Sequence, residues 1–162
     1  AGLCSDPSEN PTCAATVGAM AETSEGLYVG ARRGLFRLEG NAFVPVDADA
    51  PIEVLSLQAD GNGGLWIGTL TRGLMRLRHG VVERLPPEDG LGISRIHAFG
   101  QDARQRLWMA SDRGMVVGER HDLDAFFAGK RKTVSVTRFD ELDGMASART
   151  SSGHQAQLHV DR

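Results

Sequence analysis

Gly64-Leu65-Trp66-Ile67-Gly68-Thr69, then the turn Leu70-Thr71-Arg72-Gly73 and the run Leu74-Met75-Arg76-Leu77, decides how this chain is built, because the phrase occurs three times. The other copies read Gly26-Leu27-Tyr28-Val29-Gly30 and Arg106-Leu107-Trp108-Met109-Ala110, trailed by Gly34-Leu35 and Gly114-Met115. The copies begin 38 and then 42 residues apart, from 26 to 64 and from 64 to 106. Self-similarity at this period makes the repeat the unit of architecture, and function is to be sought on what the stacked repeats build.

Working outward from the second copy, Ile52-Glu53-Val54-Leu55-Ser56-Leu57 is a short apolar run suited to a buried strand. Asp60-Gly61-Asn62-Gly63-Gly64 is tight-turn chemistry, Leu65 to Thr69 a second strand, Leu74 to Leu77 a third and Val81 to Leu85 a fourth. Met75 and Leu77 alternate with Arg76 and Arg78 along the third. The third copy fits the same frame, with Ile96 and Phe99 in the places of Val54 and Leu57, and Asp102 in that of Asp60. The first copy follows with Val17 and Met20 ahead of its aromatic phrase. Four short antiparallel strands in roughly 40 residues is the signature of a propeller blade. The expected fold is all-β, a β-propeller segment of three four-stranded blades plus part of a fourth. The blades span 16–46, 52–85 and 94–139, with the partial blade over 147–162. One helical insertion is expected over 122–128, with Asp122 as N-cap and Gly129 as the stop.

The 162 residues suit one domain, and 41% apolar with 24% charged residues is a globular composition. A formal net charge of −3 gives no basic field to recruit nucleic acid or an anionic membrane surface. No window approaches the roughly 18 consecutive apolar residues of a membrane span, and no charged-then-apolar leader opens the stretch. Cys4 and Cys13 do not form a zinc-type pair. They enclose a polar, turn-rich loop, and are read either as a disulfide in an oxidising compartment or as two free thiols near the terminus.

The combination of Val54-Leu55-Ser56-Leu57-Gln58-Ala59-Asp60, Gly64-Leu65-Trp66-Ile67-Gly68-Thr69 and Gly73-Leu74-Met75-Arg76-Leu77, with the linking Asp89-Gly90-Leu91, resembles the two-component-regulator propeller repeat. The helical insertion followed by Asp143-Gly144-Met145 resembles the closing blades of such arrays. The resemblance implies a seven-bladed periplasmic propeller, followed in the whole protein by a β-sandwich, a transmembrane helix and a histidine kinase or diguanylate cyclase. It further implies a ligand-sensing, non-catalytic, extracytoplasmic region of a bacterial signalling protein, homodimeric when complete. Three blades leave two apolar faces bare, so this stretch is expected to pack against remaining blades of a longer array or against other copies of itself. Tyr28 in place of Trp, and Met109-Ala110 in place of Ile-Gly, depart from the repeat without bearing on ligand.

Three residues repeat without an obvious duty to the fold. Arg33, Arg72 and Arg113 each precede the turn glycine between the second and third strands of a blade. That hairpin lies on the face that carries the linkers, so the three would form a positive arc for a carboxylate, sulfate or phosphate. The ordinary alternative is that arginine is a soluble turn residue. His97, on an innermost strand near the channel, is a candidate to reach a ligand there, or else a packed or water-bonded histidine. A small-molecule ligand, anionic or a saccharide, is the expected partner. Trp66 and Trp108 read as packing residues rather than sugar platforms. Asp60-Gly61-Asn62-Gly63-Gly64 lacks the third carboxylate and closing Glu of a calcium loop. No phosphate-cradling loop, metal cluster or carboxylate pair stands out, so neither metal nor cofactor is expected. The competing readings are a propeller enzyme of lyase or glycan-processing type with a channel site, and an interaction scaffold.

Overall fold

A computed structural model describes residues 17–46 and 52–147. Cys4, Cys13, the link 47–51 and most of the expected partial blade lie outside the described residues. Three four-stranded antiparallel sheets follow one another along the chain, each in simple up-and-down order. The first comprises β1 (Val17–Thr23), β2 (Gly26–Ala31), β3 (Gly34–Glu39) and β4 (Ala42–Pro45). The second comprises β5 (Val54–Ala59), β6 (Leu65–Thr69), β7 (Leu74–Arg78) and β8 (Val81–Leu85). The third comprises β9 (Ala98–Gln101), β10 (Leu107–Ser111), β11 (Gly114–Gly118) and β12 (Val136–Phe139). The helix α1 (Arg120–Phe127) is inserted between β11 and β12. The sheets stack as blades and do not close a ring among the described residues.

Two apolar cores lie between the blades. Tyr28 and Leu35 of the first blade meet Val54, Leu65, Ile67, Met75 and Leu77 of the second. Trp66, Leu74 and Leu85 of the second meet Ile96, Phe99, Leu107, Met109 and Leu123 of the third. Side chains alternate along β6 and β7, so one set serves each core: Leu65 and Ile67 point back to the first blade, Trp66 forward to the third. A middle blade is therefore buried on both faces, and alternation no longer separates core from solvent. Arg76 shows the consequence, since it alternates with Met75 and Leu77 yet is itself buried.

The phrase glycine is a packing device. A Cβ on Gly30 would sit 2.4 Å from Val54 Cγ1, and one on Gly68 would sit 2.1 Å from Ser56 Oγ and 2.7 Å from the Ile96 carbonyl oxygen. Only a residue without a side chain lets the next blade's opening segment approach this closely. In the third copy, Ala110 stands at this position. Leu91 of the Asp89-Gly90-Leu91 link is fully buried in the second core, which ties the link to both blades.

The helix differs from its sequence reading at its start. Glu119 occupies the N-cap without a side-chain cap bond, and Asp122 lies inside the first turn. Asp122 instead meets Arg131 Nη1 at 2.7 Å and His121 Nε2 at 3.4 Å. Gly129, with φ 69°, ends the helix in the left-handed region, and its amide donates to the Phe126 carbonyl.

Candidate functional site

The rim formed by the hairpins between second and third strands is built the same way in the second and third blades. Thr69 Oγ1 donates to the Gly73 carbonyl at 2.9 Å and accepts from the Arg72 amide at 2.9 Å. Ser111 Oγ does the same for the Gly114 carbonyl at 2.8 Å and the Arg113 amide at 3.1 Å. A hydroxyl ending the second strand thus fixes the turn, and the arginine that follows is held out into solvent. The first blade has Ala31 at that position, and its turn lacks the hydroxyl clamp. The turn touches the linker: the Gly73 amide donates to the Ser94 carbonyl at 2.9 Å, and the Ile96 amide to the Thr69 carbonyl at 3.1 Å.

Arg33, Arg72 and Arg113 are all exposed at equivalent positions of this rim. None of the three guanidinium groups forms an ion pair with another described residue. The neighbouring Arg32 lies 3.8 Å from Glu53 across the first and second blades. His97 is buried, its amide donates to the Ala110 carbonyl at 2.8 Å, and its Nδ1 has no partner among the described residues. Burial lowers its pKa, Arg95 adds to the effect, and Asp112 opposes it, so the imidazole is neutral at neutral pH. The structure therefore gives the rim three solvated cations and, beneath the third hairpin, one neutral imidazole. No metal-ligand grouping of three or more His, Cys, Asp or Glu occurs among the described residues.

Sequence reasoning missed a second polar system, which joins the blades on the opposite rim. Arg76 donates to Glu83 Oε2 at 3.0 and 2.8 Å and to Asp124 Oδ1 of α1 at 2.8 Å, while its guanidinium lies 4.3 Å from the centre of the Phe127 ring. Arg120 donates to Asp124 Oδ2 at 3.0 Å and to the Asp60 carbonyl at 2.8 Å, and sits 5.3 Å from the Trp66 ring. Asp60 Oδ2 accepts from Arg78 at 2.9 Å, and Oδ1 accepts the Asn62 and Gly64 amides at 2.7 and 2.8 Å. Burial would raise the Asp60 pKa, but the Asn62 amide, Arg78 and the Gly64 amide outweigh it and hold the carboxyl below its ordinary value. The alternation around Arg76 hid this network, because a strand arginine reads as solvated until the partner helix is placed.

Asp102 repeats the turn of Asp60. Its Oδ1 accepts the Arg104 and Arg106 amides at 3.0 Å each, and its Oδ2 accepts from Arg106 Nε at 2.7 Å and Trp108 Nε1 at 3.0 Å. Burial works to raise its pKa, yet the Trp108 indole and the Arg106 amide and guanidinium hold it down at about 2. Trp108 stacks on Phe139 with ring centres 5.8 Å apart and is partly exposed, whereas Trp66 is buried under α1. The difference follows from what each tryptophan faces, since the third blade is the last described.

No protein-family model and no curated protein matches the sequence. The fold is matched by solved extracellular domains from B. thetaiotaomicron. The chain is similar to the domain assigned to the hybrid two component system BT3049, with TM-score 0.65 and 16% identity over 88% of this chain and 19% of that one. A structure of the BT4673 extracellular domain, described as a one component system, matches with TM-score 0.65 and 17% identity over 97% of this chain and 20% of that one. A second BT4673 structure, described as a hybrid two component system, gives TM-score 0.56 and 21% identity over 69% and 16%. The chain spans about a fifth or less of the length of these structures. At these identities the likeness is one of fold, that of an all-β run of propeller blades.

Proposed function

We propose that this chain is part of the ligand-sensing, non-catalytic, extracytoplasmic region of a bacterial membrane signalling protein of the two-component or cyclic-di-GMP class. The observation that supports this reading is the likeness in fold to extracellular domains described as parts of one component and hybrid two component systems, over 97% and 88% of the chain. The rim bearing Arg33, Arg72 and Arg113 is the ligand face in this reading. Its guanidinium groups are solvated and unpaired among the described residues, so an anionic ligand meets them without first breaking a protein ion pair. His97 offers a neutral hydrogen-bonding group beneath the same rim. Ligand binding then biases the packing of blades, or of two copies in a homodimer, and so passes a signal inward.

The test is to replace Arg33, Arg72 and Arg113 together by Gln in the full-length protein. Sugars and organic acids are then screened by thermal shift, alongside the signalling output. The expected result is loss of the shift and output given by anionic compounds, with the melting temperature of the free protein nearly unchanged. Retention of both responses overturns the rim assignment.

A further inference from the structure

The joint between the first and second blades has a cleft where the joint between the second and third has a plug. In the second blade, Arg76 stands in register with Trp66 on one side and Glu83 on the other. Over this trio lies α1, the expanded connection between β11 and β12, which delivers the Asp124 carboxylate and the Phe127 ring onto the Arg76 guanidinium. In the first blade, Arg37 stands in the same register, between Tyr28 and Val44. The matching connection of the second blade, between β7 and β8, is only His79-Gly80, a turn with φ of 52° and 75°. It is too short to reach back, and among the described residues the gap remains open as a cleft of about 160 Å³ whose walls include Tyr28, Arg37, Glu39, Val44, Val46 and Leu77.

We infer that this cleft binds an arylalkanoic acid, a small molecule with an aromatic ring one or two carbons from a carboxylate. Its carboxylate takes the place that Asp124 holds on Arg76, and its ring the place of Phe127. Arg37 and Glu39 both line the cleft, and the choice of an anion over a neutral or cationic ligand rests on the way Arg76 holds two carboxylates in the occupied counterpart. Arg37 is engaged by Glu39 through Nε at 3.1 Å and through Nη2, and by the Tyr28 hydroxyl, so a ligand carboxylate joins these partners on the guanidinium rather than meeting a bare one. Arg76 shows that an arginine at this position holds a second carboxylate beyond its first. Leu77, Val44 and Val46 supply apolar wall, and a cavity of about 150 Å³ is enough for a benzene ring. A guanidinium over a ring face adds cation–π attraction, as the 4.3 Å approach of Arg76 to Phe127 demonstrates in the occupied counterpart. The cleft lies on the rim opposite Arg33, Arg72 and Arg113, so it stands independently of the sensor reading.

The test is titration of the full chain with phenylacetate and 3-phenylpropionate, read by calorimetry and by chemical-shift changes at Tyr28 and Leu77. Saturable binding is expected, with at least about tenfold weaker binding of benzyl alcohol, which lacks the charge. Arg37→Gln should weaken phenylacetate binding by a similar factor, and Glu39→Gln, which takes the competing carboxylate off the guanidinium, should tighten it. Replacing His79-Gly80 by the stretch from Glu119 to Gly129 should fill the cleft and abolish binding. The inference is overturned if neither acid binds, if the Arg37→Gln protein, folded by circular dichroism, binds as tightly as the parent, or if acetate alone binds equally well.

Discussion

Arg76 and Asp124 meet at 2.8 Å across two blades, and this pair fastens the inserted helix to the sheet before it. Asp124 bonds Arg120 as well, so Asp124→Ala removes two charge-assisted hydrogen bonds at once. Because the Asp124 side chain is 38% exposed, the expected loss is about 1–2 kcal/mol rather than that of a fully buried pair. Urea denaturation measures it, and an unchanged midpoint would show that α1 is held by Leu123, Phe127 and the Arg120 contact with Asp60 rather than by Asp124.

Gly68→Ala places a methyl group against Ser56 Oγ and the Ile96 carbonyl, and Gly30→Ala places one against Val54. Each should destabilise the protein by about 1–3 kcal/mol through overpacking between blades. Gly40→Ala is the contrasting case: Gly40 has φ 60°, which Gly30 and Gly68 do not share, and nothing lies within 4 Å of an added Cβ, so it carries backbone strain without close approach. A smaller cost at Gly40 than at Gly68 separates close approach from backbone strain.

Trp66 is buried at 1% exposure and Trp108 lies at the open edge. Trp66→Ala should cost about 3–5 kcal/mol, in the range of a core aromatic truncation, and Trp108→Ala markedly less. Emission from the Trp108→Phe protein should be blue-shifted and resistant to acrylamide, and emission from the Trp66→Phe protein quenchable. Equal quenching in the two would mean that both tryptophans share one environment.

Acid should act through Asp102 and Asp60, whose folded-state pKa values lie below their ordinary ones. Such a carboxylate stabilises the fold fully above about pH 5, and that contribution is lost as pH falls through its unfolded value near 4 toward about 2 for Asp102. Asp102→Asn should therefore flatten the stability profile below pH 4. His97 acts in a higher window: its lowered pKa makes the folded state bind fewer protons than the unfolded one, so stability falls as pH drops below about 6.5. His97→Gln should remove that limb and leave the Asp102 limb in place.

The arginine rim is expected to be silent for stability. Arg33→Gln, Arg72→Gln and Arg113→Gln should each change unfolding free energy by no more than about 0.5 kcal/mol, as exposed turn positions do. Thr69→Ala, by contrast, strips the hydroxyl that clamps the Arg72 turn and should cost about 1 kcal/mol. If the arginine changes cost more than the threonine change, those side chains carry fold rather than ligand.

The blades were legible because their requirements are local. Gly68 and Leu65-Trp66-Ile67 answer to a neighbouring sheet that the repeat itself implies, and the Asp60 and Asp102 turns are written in consecutive residues. What stayed hidden depends on partners far away in sequence. Arg76 finds Asp124 48 residues on, and Arg120 reaches Asp60 across 60 residues. Asp122 misled for a local reason: it has the chemistry of a helix cap, but Arg131 and His121 engage it, and the helix starts earlier, with Glu119 as its N-cap. The rim arginines were legible as turn residues, because each stands directly before a turn glycine in consecutive sequence.

The two-residue turn at His79-Gly80 has a mechanical meaning. The first two blades are closed along their opening strands, where Gly30 lies against Val54, and open toward the outer edge beside Gly80. The next pair is closed at both places, because α1 bolts the outer edge. The second and third blades are therefore joined at both edges, and the first and second along their opening strands and the core between them. On the proposed reading, a molecule lodged beside Gly80 would bear on the one edge of that joint that no helix fastens.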